Sequence, residues 1–202
     1  MGVRVSKSVI RERVALATSA VIARNGLHNT SMRDIASEAG CTTGVLTHYF
    51  RGKSELLQFA FDTAVEAAAA RMRSIVAGST GSSGNLLEVL LEALPLDERR
   101  RLEAAIYFGF VEAALHDADM TARFQDRFQR WQQLIAELIQ CERPALAREE
   151  VASRAQWLLL VVDGIATGAL AEPAVFTVQY QEEMLRKAVT RTIRDEALPR
   201  TG

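Results

Sequence analysis

The sequence predicts an all-α protein: an N-terminal three-helix helix-turn-helix head, joined by a long helix to a C-terminal helical domain. Three observations predict this. Apolar residues recur at three- and four-residue spacing along almost the whole chain, and strand-type alternation is nearly absent. Pro95, Pro144, Pro173 and Pro199 fall between the periodic segments, where a missing N–H costs least. Residues 30–50 carry a cap, an apolar stripe, a glycine stop and a second cap, in the order two short crossing helices demand.

The first helix is expected over 8–25, with Val14, Ala17, Thr18, Val21 and Ile22 on one face and Asn25-Gly26 as its stop. Thr30 or Ser31 caps the second, which runs through Ala39. Ile35, Ala39 and Leu46 are spaced to bury against one another, and Ala36 is small where the two helices approach. Gly40 ends the second helix, because glycine adopts the left-handed C-cap conformation at little cost. The Thr42 hydroxyl then caps a third helix over 43–50, and Gly52 breaks it. Lys53 or Ser54 opens a fourth helix reaching 76, with Leu56, Leu57, Ala60, Phe61, Ala64 and Val65 on its apolar face. Ala67 to Ala70 favour helix but bury little, so this element should bridge two cores.

Residues 77–85, Ala-Gly-Ser-Thr-Gly-Ser-Ser-Gly-Asn, have linker composition and are expected to be mobile. Further helices are predicted over 86–94, 97–117, 119–142, 145–171 and 177–196. The domain reading is therefore a head over 1–53, a bridging helix over 54–76, and a C-terminal domain over 77–202.

Composition narrows the function. With 49% hydrophobic and 24% charged residues the chain reads as a soluble globular protein. No apolar run approaches the ~20 residues of a membrane span, the N-terminus lacks a signal-peptide core, and a cytoplasmic location is expected. Cys41 and Cys141 form no disulfide framework and read as small buried hydrophobes, with a thiol switch at Cys41 as the alternative. His28, His48 and His116 sit on separate elements without metal-ligand spacing. There is no phosphate loop, dinucleotide fingerprint or nucleophile elbow, so neither an enzyme nor a cofactor or metal site is expected. The net charge of −1 hides an asymmetry: residues 1–57 hold eight basic and four acidic side chains, a balance of +4 against −5 in the remainder. A basic head on an acidic body suits binding to phosphates on one face only.

Thr30 to Leu57 resembles the tetracycline-repressor (TetR) family of bacterial regulators. The residues that carry the resemblance are Ser31-Met32-Arg33-Asp34-Ile35-Ala36, Ala39-Gly40-Cys41-Thr42-Thr43-Gly44-Val45-Leu46, His48-Tyr49-Phe50 and Lys53-Ser54-Glu55-Leu56-Leu57. The run from Thr42 to Lys53 is most similar to the choline-responsive repressors of betaine synthesis. The resemblance implies a homodimeric repressor, with two heads on one pseudo-palindromic double-stranded operator and a C-terminal domain that binds a small effector and lowers DNA affinity. An activator, or a regulator of this fold without ligand gating, is the alternative.

A recognition helix presents its N-terminal residues to base edges. Thr42, Thr43, Gly44 and Val45 occupy that position, with Thr43 placed for a base edge and Val45 for a thymine methyl. Arg33 and Lys53 match family positions for guanine or phosphate, and phosphate. Thr47 stands where the family commonly has tyrosine. Of His48 and Tyr49, one should face the DNA; Tyr49 is the choice for phosphate, and Phe50 is assigned to the core.

In the C-terminal domain, Phe108, Phe110, Glu112, Phe128, Trp131 and Trp157 are candidates for an effector pocket, since bundles hold ligands between helices. Core packing is the competing account of each aromatic. Asp163 lies in an apolar run and must find a partner. Trp157, Leu160, Val161, Ile165, Leu185 and Val189 on the last two helices are candidates for the dimer interface, or for closing the protomer core.

Overall fold

The computed structural model describes residues 7–78 and 85–194. Within them the fold is all-helical, as the periodicity predicts: α1 (Lys7–Asn25), α2 (Met32–Glu38), α3 (Thr43–Tyr49), α4 (Lys53–Gly78), α5 (Asn85–Leu91), α6 (Glu98–Ala114), α7 (Ala118–Glu142), α8 (Arg148–Ala171) and α9 (Val178–Ile193). No helix among the described residues is long and apolar enough to cross a membrane.

Three apolar clusters organise the chain. In the first, Val14, Ala17 and Val21 of α1 close on Ile35, Ala36, Ala39, Leu46, Phe50 and Leu56. The second joins Ala15, Ile22 and Leu27 to Leu57, Ala60 and Phe61 of α4 and to Ile106 and Phe110 of α6. Here the Phe61 and Phe110 rings stack at 4.1 Å. The third lies among α4, α5, α7, α8 and α9, where Met72, Leu90, Ile139, Leu158 and Leu185 are buried. Each fully buried side chain of this size contributes roughly 1.5–3 kcal/mol over exposure. Helix α4 places Leu56 in the first cluster, Phe61 in the second and Met72 in the third. A single continuous helix therefore touches all three.

Helix ends depart from the sequence expectation where a local hydrogen bond decides. The Asp117 side chain accepts from the Met120 N–H at 3.0 Å and caps α7, so α6 stops at Ala114 rather than 117. Helix α5 loosens after Leu91 into tight turns, closed by Ala93 N–H to Leu90 O and Leu94 N–H to Leu91 O, because Pro95 disfavours helix in the residue before it. The two N–H groups of the Gln140 amide are shared among the carbonyls of Arg143, Pro144 and Leu146, which holds the α7–α8 turn and delays α8 to Arg148. Of the linker-like stretch, residues 79–84 lie outside the described residues; Ala77 and Gly78 complete α4, and Asn85 opens α5. Arg4, Pro199 and the helix end expected at 196 also lie outside them. Cys141 is exposed rather than buried, because it falls on the outer side of α7, while Cys41 is half-buried against the head core.

The α8–α9 connection is tightly packed. A Cβ on Gly168 would fall within 2.6 Å of three Phe176 ring atoms, so this ring lies directly on the helix backbone. The buried Gln181 amide donates to the Phe176 carbonyl at 2.8 Å, and buried Arg154 of α8 donates to the Thr192 carbonyl of α9.

Candidate DNA-reading head and effector region

The head is built by capping. Ser31 accepts from the Asp34 N–H, and the Asp34 carboxylate accepts from the Ser31 N–H at 3.2 Å, a reciprocal box that starts α2. Gly40 takes φ +62°, a left-handed value, and lets Cys41 N–H reach the Ala36 carbonyl at 2.9 Å. Two residues later the Thr42 hydroxyl oxygen accepts from the Val45 N–H at 3.4 Å and starts α3. Ile35 and Leu46, both fully buried, hold the two helices crossed.

This construction leaves Thr42, Thr43, Gly44, Thr47 and His48 exposed on one short helix, with Arg33 exposed on α2 and Val45 half-buried. Thr47 donates its hydroxyl proton to the Gly44 carbonyl at 3.1 Å, so in the free protein that donor is already engaged. His48 and Tyr49 meet edge to face at 5.0 Å. Their exposure runs opposite to the sequence expectation: His48 is open and the Tyr49 body is half-buried against the head core. Lys53, half-buried, donates its ammonium to the His28 carbonyl at 3.3 Å, which ties the start of α4 to the α1–α2 loop. Phe50 is core, 1% exposed. Sequence reasoning passes over Arg11, whose guanidinium lies 4.2 Å from the Phe59 ring centroid and 5.2 Å from that of Phe50. Nothing in the local pattern marks that contact, since Phe59 is 48 positions away.

The six candidate pocket residues go to different places. Phe110 is in the head–body junction, stacked on Phe61. Glu112 is exposed and its carboxylate lies 3.3 Å from His28 Nε2, across the same junction. Phe108, Phe128 and Trp131 pack half-buried on the body cluster, and Trp157 is exposed on α8. Of the six candidate interface residues, Trp157 and Leu160 are exposed and Val161 is half-buried. Ile165, Leu185 and Val189 belong to the protomer's own core.

Asp163 has no hydrogen-bond or ion-pair partner for its carboxylate among the described residues. Burial pushes its pKa up to about 6. It acts across to α6, where burial and then the Asp163 charge raise the Tyr107 phenol above its ordinary value. Tyr107 lies 5.7 Å from Phe124, which stacks on Phe128 at 6.1 Å. An acid and three aromatic rings from α6, α7 and α8 thus share one region.

Two arginine clamps connect that region to α4. Arg127, between Phe124 and Phe128 on α7, pairs with Asp62 and lies 5.0 Å from the Phe61 centroid. Arg71 of α4 donates to both Glu103 oxygens, at 3.1 and 2.6 Å, and also pairs with Glu92. The Glu103 hydrogen bonds, against the opposing effect of burial, hold the Arg71 guanidinium above its ordinary value. Glu103 lies one turn before Tyr107 on α6. The sequence expectation that Asp163 must find a partner is not met among the described residues, and its burial raises its pKa instead.

Residues 16–59 match the family described as bacterial regulatory proteins, tetR family, which sets the class as DNA-binding transcriptional regulators rather than enzymes. Residues 84–194, more than half of the chain, match the BetI-type transcriptional repressor C-terminal domain. The chain belongs to the tetR family and carries the BetI-type repressor body. It is 33% identical over 166 residues to the HTH-type transcriptional regulator PksA of Bacillus subtilis, covering 81% of this chain and 80% of that one. It is 28% identical over 172 residues to the regulator BetI of Escherichia coli K12, covering 79% and 81%. Among solved structures, a transcriptional regulator from Rhodococcus superposes with a TM-score of 0.79 at 27% identity, covering 94% and 99%. A regulator from Saccharomonospora viridis, solved in complex with choline, gives 0.81 at 22% identity, covering 91% and 97%.

Proposed function

We propose that this repressor binds a pseudo-palindromic operator as a homodimer and releases it when a small organic cation enters the body beside Asp163. The observation that carries the operator reading is the exposed start of α3, Thr42-Thr43-Gly44, held at the tip of a capped and buried helix pair. An α-helix presented in this way fits the major groove, with Thr43 set for a base edge and Arg33 and Lys53 for guanine or backbone. Dimerisation rests on Trp157, Leu160, Tyr180 and Met184, large apolar side chains exposed on α8 and α9, which a two-fold contact would cover.

An unpartnered carboxylate in a low-dielectric region lacks a countercharge, and faces of Tyr107, Phe124 and Phe128 attract cations. The choline held by the S. viridis regulator is a molecule of this kind. Entry beside Tyr107 and Phe124 would move the turns that carry Glu103 and Arg127, and so the hold on α4, whose N-terminus adjoins α3. Titrating choline and other quaternary ammonium ions against the protein–operator complex tests this. The expected result is release by one of them, weakened at least about tenfold by Asp163→Asn. Release untouched by that substitution would place the effector elsewhere.

A further inference from the structure

A second feature lies at the junction of head and body, apart from Asp163. Helices α1 and α6 approach closely at Gly109, where a Cβ would stand 3.4 Å from Leu27 and 3.5 Å from Ile22. Beside that contact is an open crevice of about 690 Å³, between α1, α6 and the end of α8. Small-molecule sites span about 300–1,000 Å³. Its apolar wall comes from Ala20, Ala23, Leu102, Ala105, Phe108 and Leu170.

The charges on the wall are not equivalent. Arg24 is paired with Glu38 at 3.1 Å, and the exposed Glu112 carboxylate lies 3.3 Å from His28 Nε2. Arg101 is half-buried and donates to the carbonyls of Ala169 at 3.0 Å and Leu170 at 3.4 Å, but has no carboxylate partner among the described residues. A guanidinium carries five N–H donors and one full charge, so donors remain and the charge is uncompensated by any acid. Glu98, three residues earlier, is exposed, and water screens its charge far more than that of Arg101. We infer that this crevice is a binding site for an amphipathic carboxylate, whose acid group meets Arg101 while its hydrocarbon tail lies on Leu102, Ala105 and Phe108. Asp163, Tyr107, Phe124 and Phe128 are not on its wall, although Phe108 meets Tyr107 at 5.2 Å, and its charge preference is the opposite of theirs.

The test is calorimetric titration of the 202-residue chain with sodium octanoate and with 1-octanol, which has the same chain without the acid. Octanoate should bind once per protomer, and octanol about tenfold more weakly or worse. Arg101→Gln should lose a similar factor. Because Arg101 also holds the α8 carbonyls, Ala105→Trp serves as a second variant: it fills the crevice and should abolish binding with the parental far-UV spectrum intact. Asp163→Asn should leave octanoate affinity unchanged. No saturable octanoate binding, equal affinity for the alcohol, or undiminished binding in Ala105→Trp would each overturn the site.

Discussion

Head and body are stabilised in different ways. In the head, two helices of only seven residues pack against the 19-residue α1, and each of those two starts on a side-chain cap: Ser31 with Asp34, then Thr42. Its core is small, and Leu46 alone joins α3 to it as a fully buried side chain. The body uses helices of up to 25 residues and a large apolar cluster, with a few arginines tied to half-buried acids. Seven-residue helices are unstable alone, so the position of α3 is only as firm as its caps and that core. The body is firm by bulk, and the ion pairs that break its apolar surface bear on α4. The difference locates where change is tolerated: the head must stay fixed to read DNA, whereas the clamps on α4 are discrete contacts that the proposed effector would exchange.

The sharpest way to break this contrast is Leu46→Ala. It should destabilise the head by about 3 kcal/mol and abolish operator binding, while far-UV melting of the body persists at its parental temperature. Loss of both together would make head and body one cooperative unit. Arg71→Ala removes the bridge between Glu92 and Glu103, leaving Glu92 with Arg100 and Glu103 with Arg99, and should cost about 1 kcal/mol, read as a lower urea midpoint, with a shift in effector response. A parental midpoint would show that the clamp carries no stability.

Asp163→Asn sharpens the comparison by pH. The native pKa is raised from 3.8 to about 6, so the folded state binds more protons than the unfolded state between those values. The stability contributed by protonated Asp163 is present below about pH 4 and falls as pH rises through 6. The amide should therefore stabilise the protein by ~1 kcal/mol at pH 7, after allowance for partial solvent screening, and by nothing near pH 3. A gain independent of pH would remove the carboxylate's burial as its cause. The smallest effect is expected from Lys53→Ala: weaker binding to all duplexes alike and a salt slope lowered by about one.

The head was legible because its signals are local. Gly26 and Gly40 take the positive φ that their stop positions require, and Thr42 caps as its spacing implies. The body's helices were legible too, but less so their ends, since the break before α7 depends on one Asp117 hydrogen bond. Its candidate site was not. Phe108 and Phe110 stand two residues apart on one helix, yet one faces the body cluster and the other stacks on α4. Aromatic residue type predicts burial; only the packing of a third helix decides which wall the ring joins.

In the proposed repressor the start of α3 reads sequence from a two-headed assembly. Selection of bound duplexes from a random library, at stated salt, tests it most directly. An enriched inverted repeat is expected, its half-sites about one helical turn, or a multiple of it, apart, with the half-site preference altered by Thr43→Ala. Only salt-sensitive binding without enrichment, or an identical preference in Thr43→Ala, would contradict it.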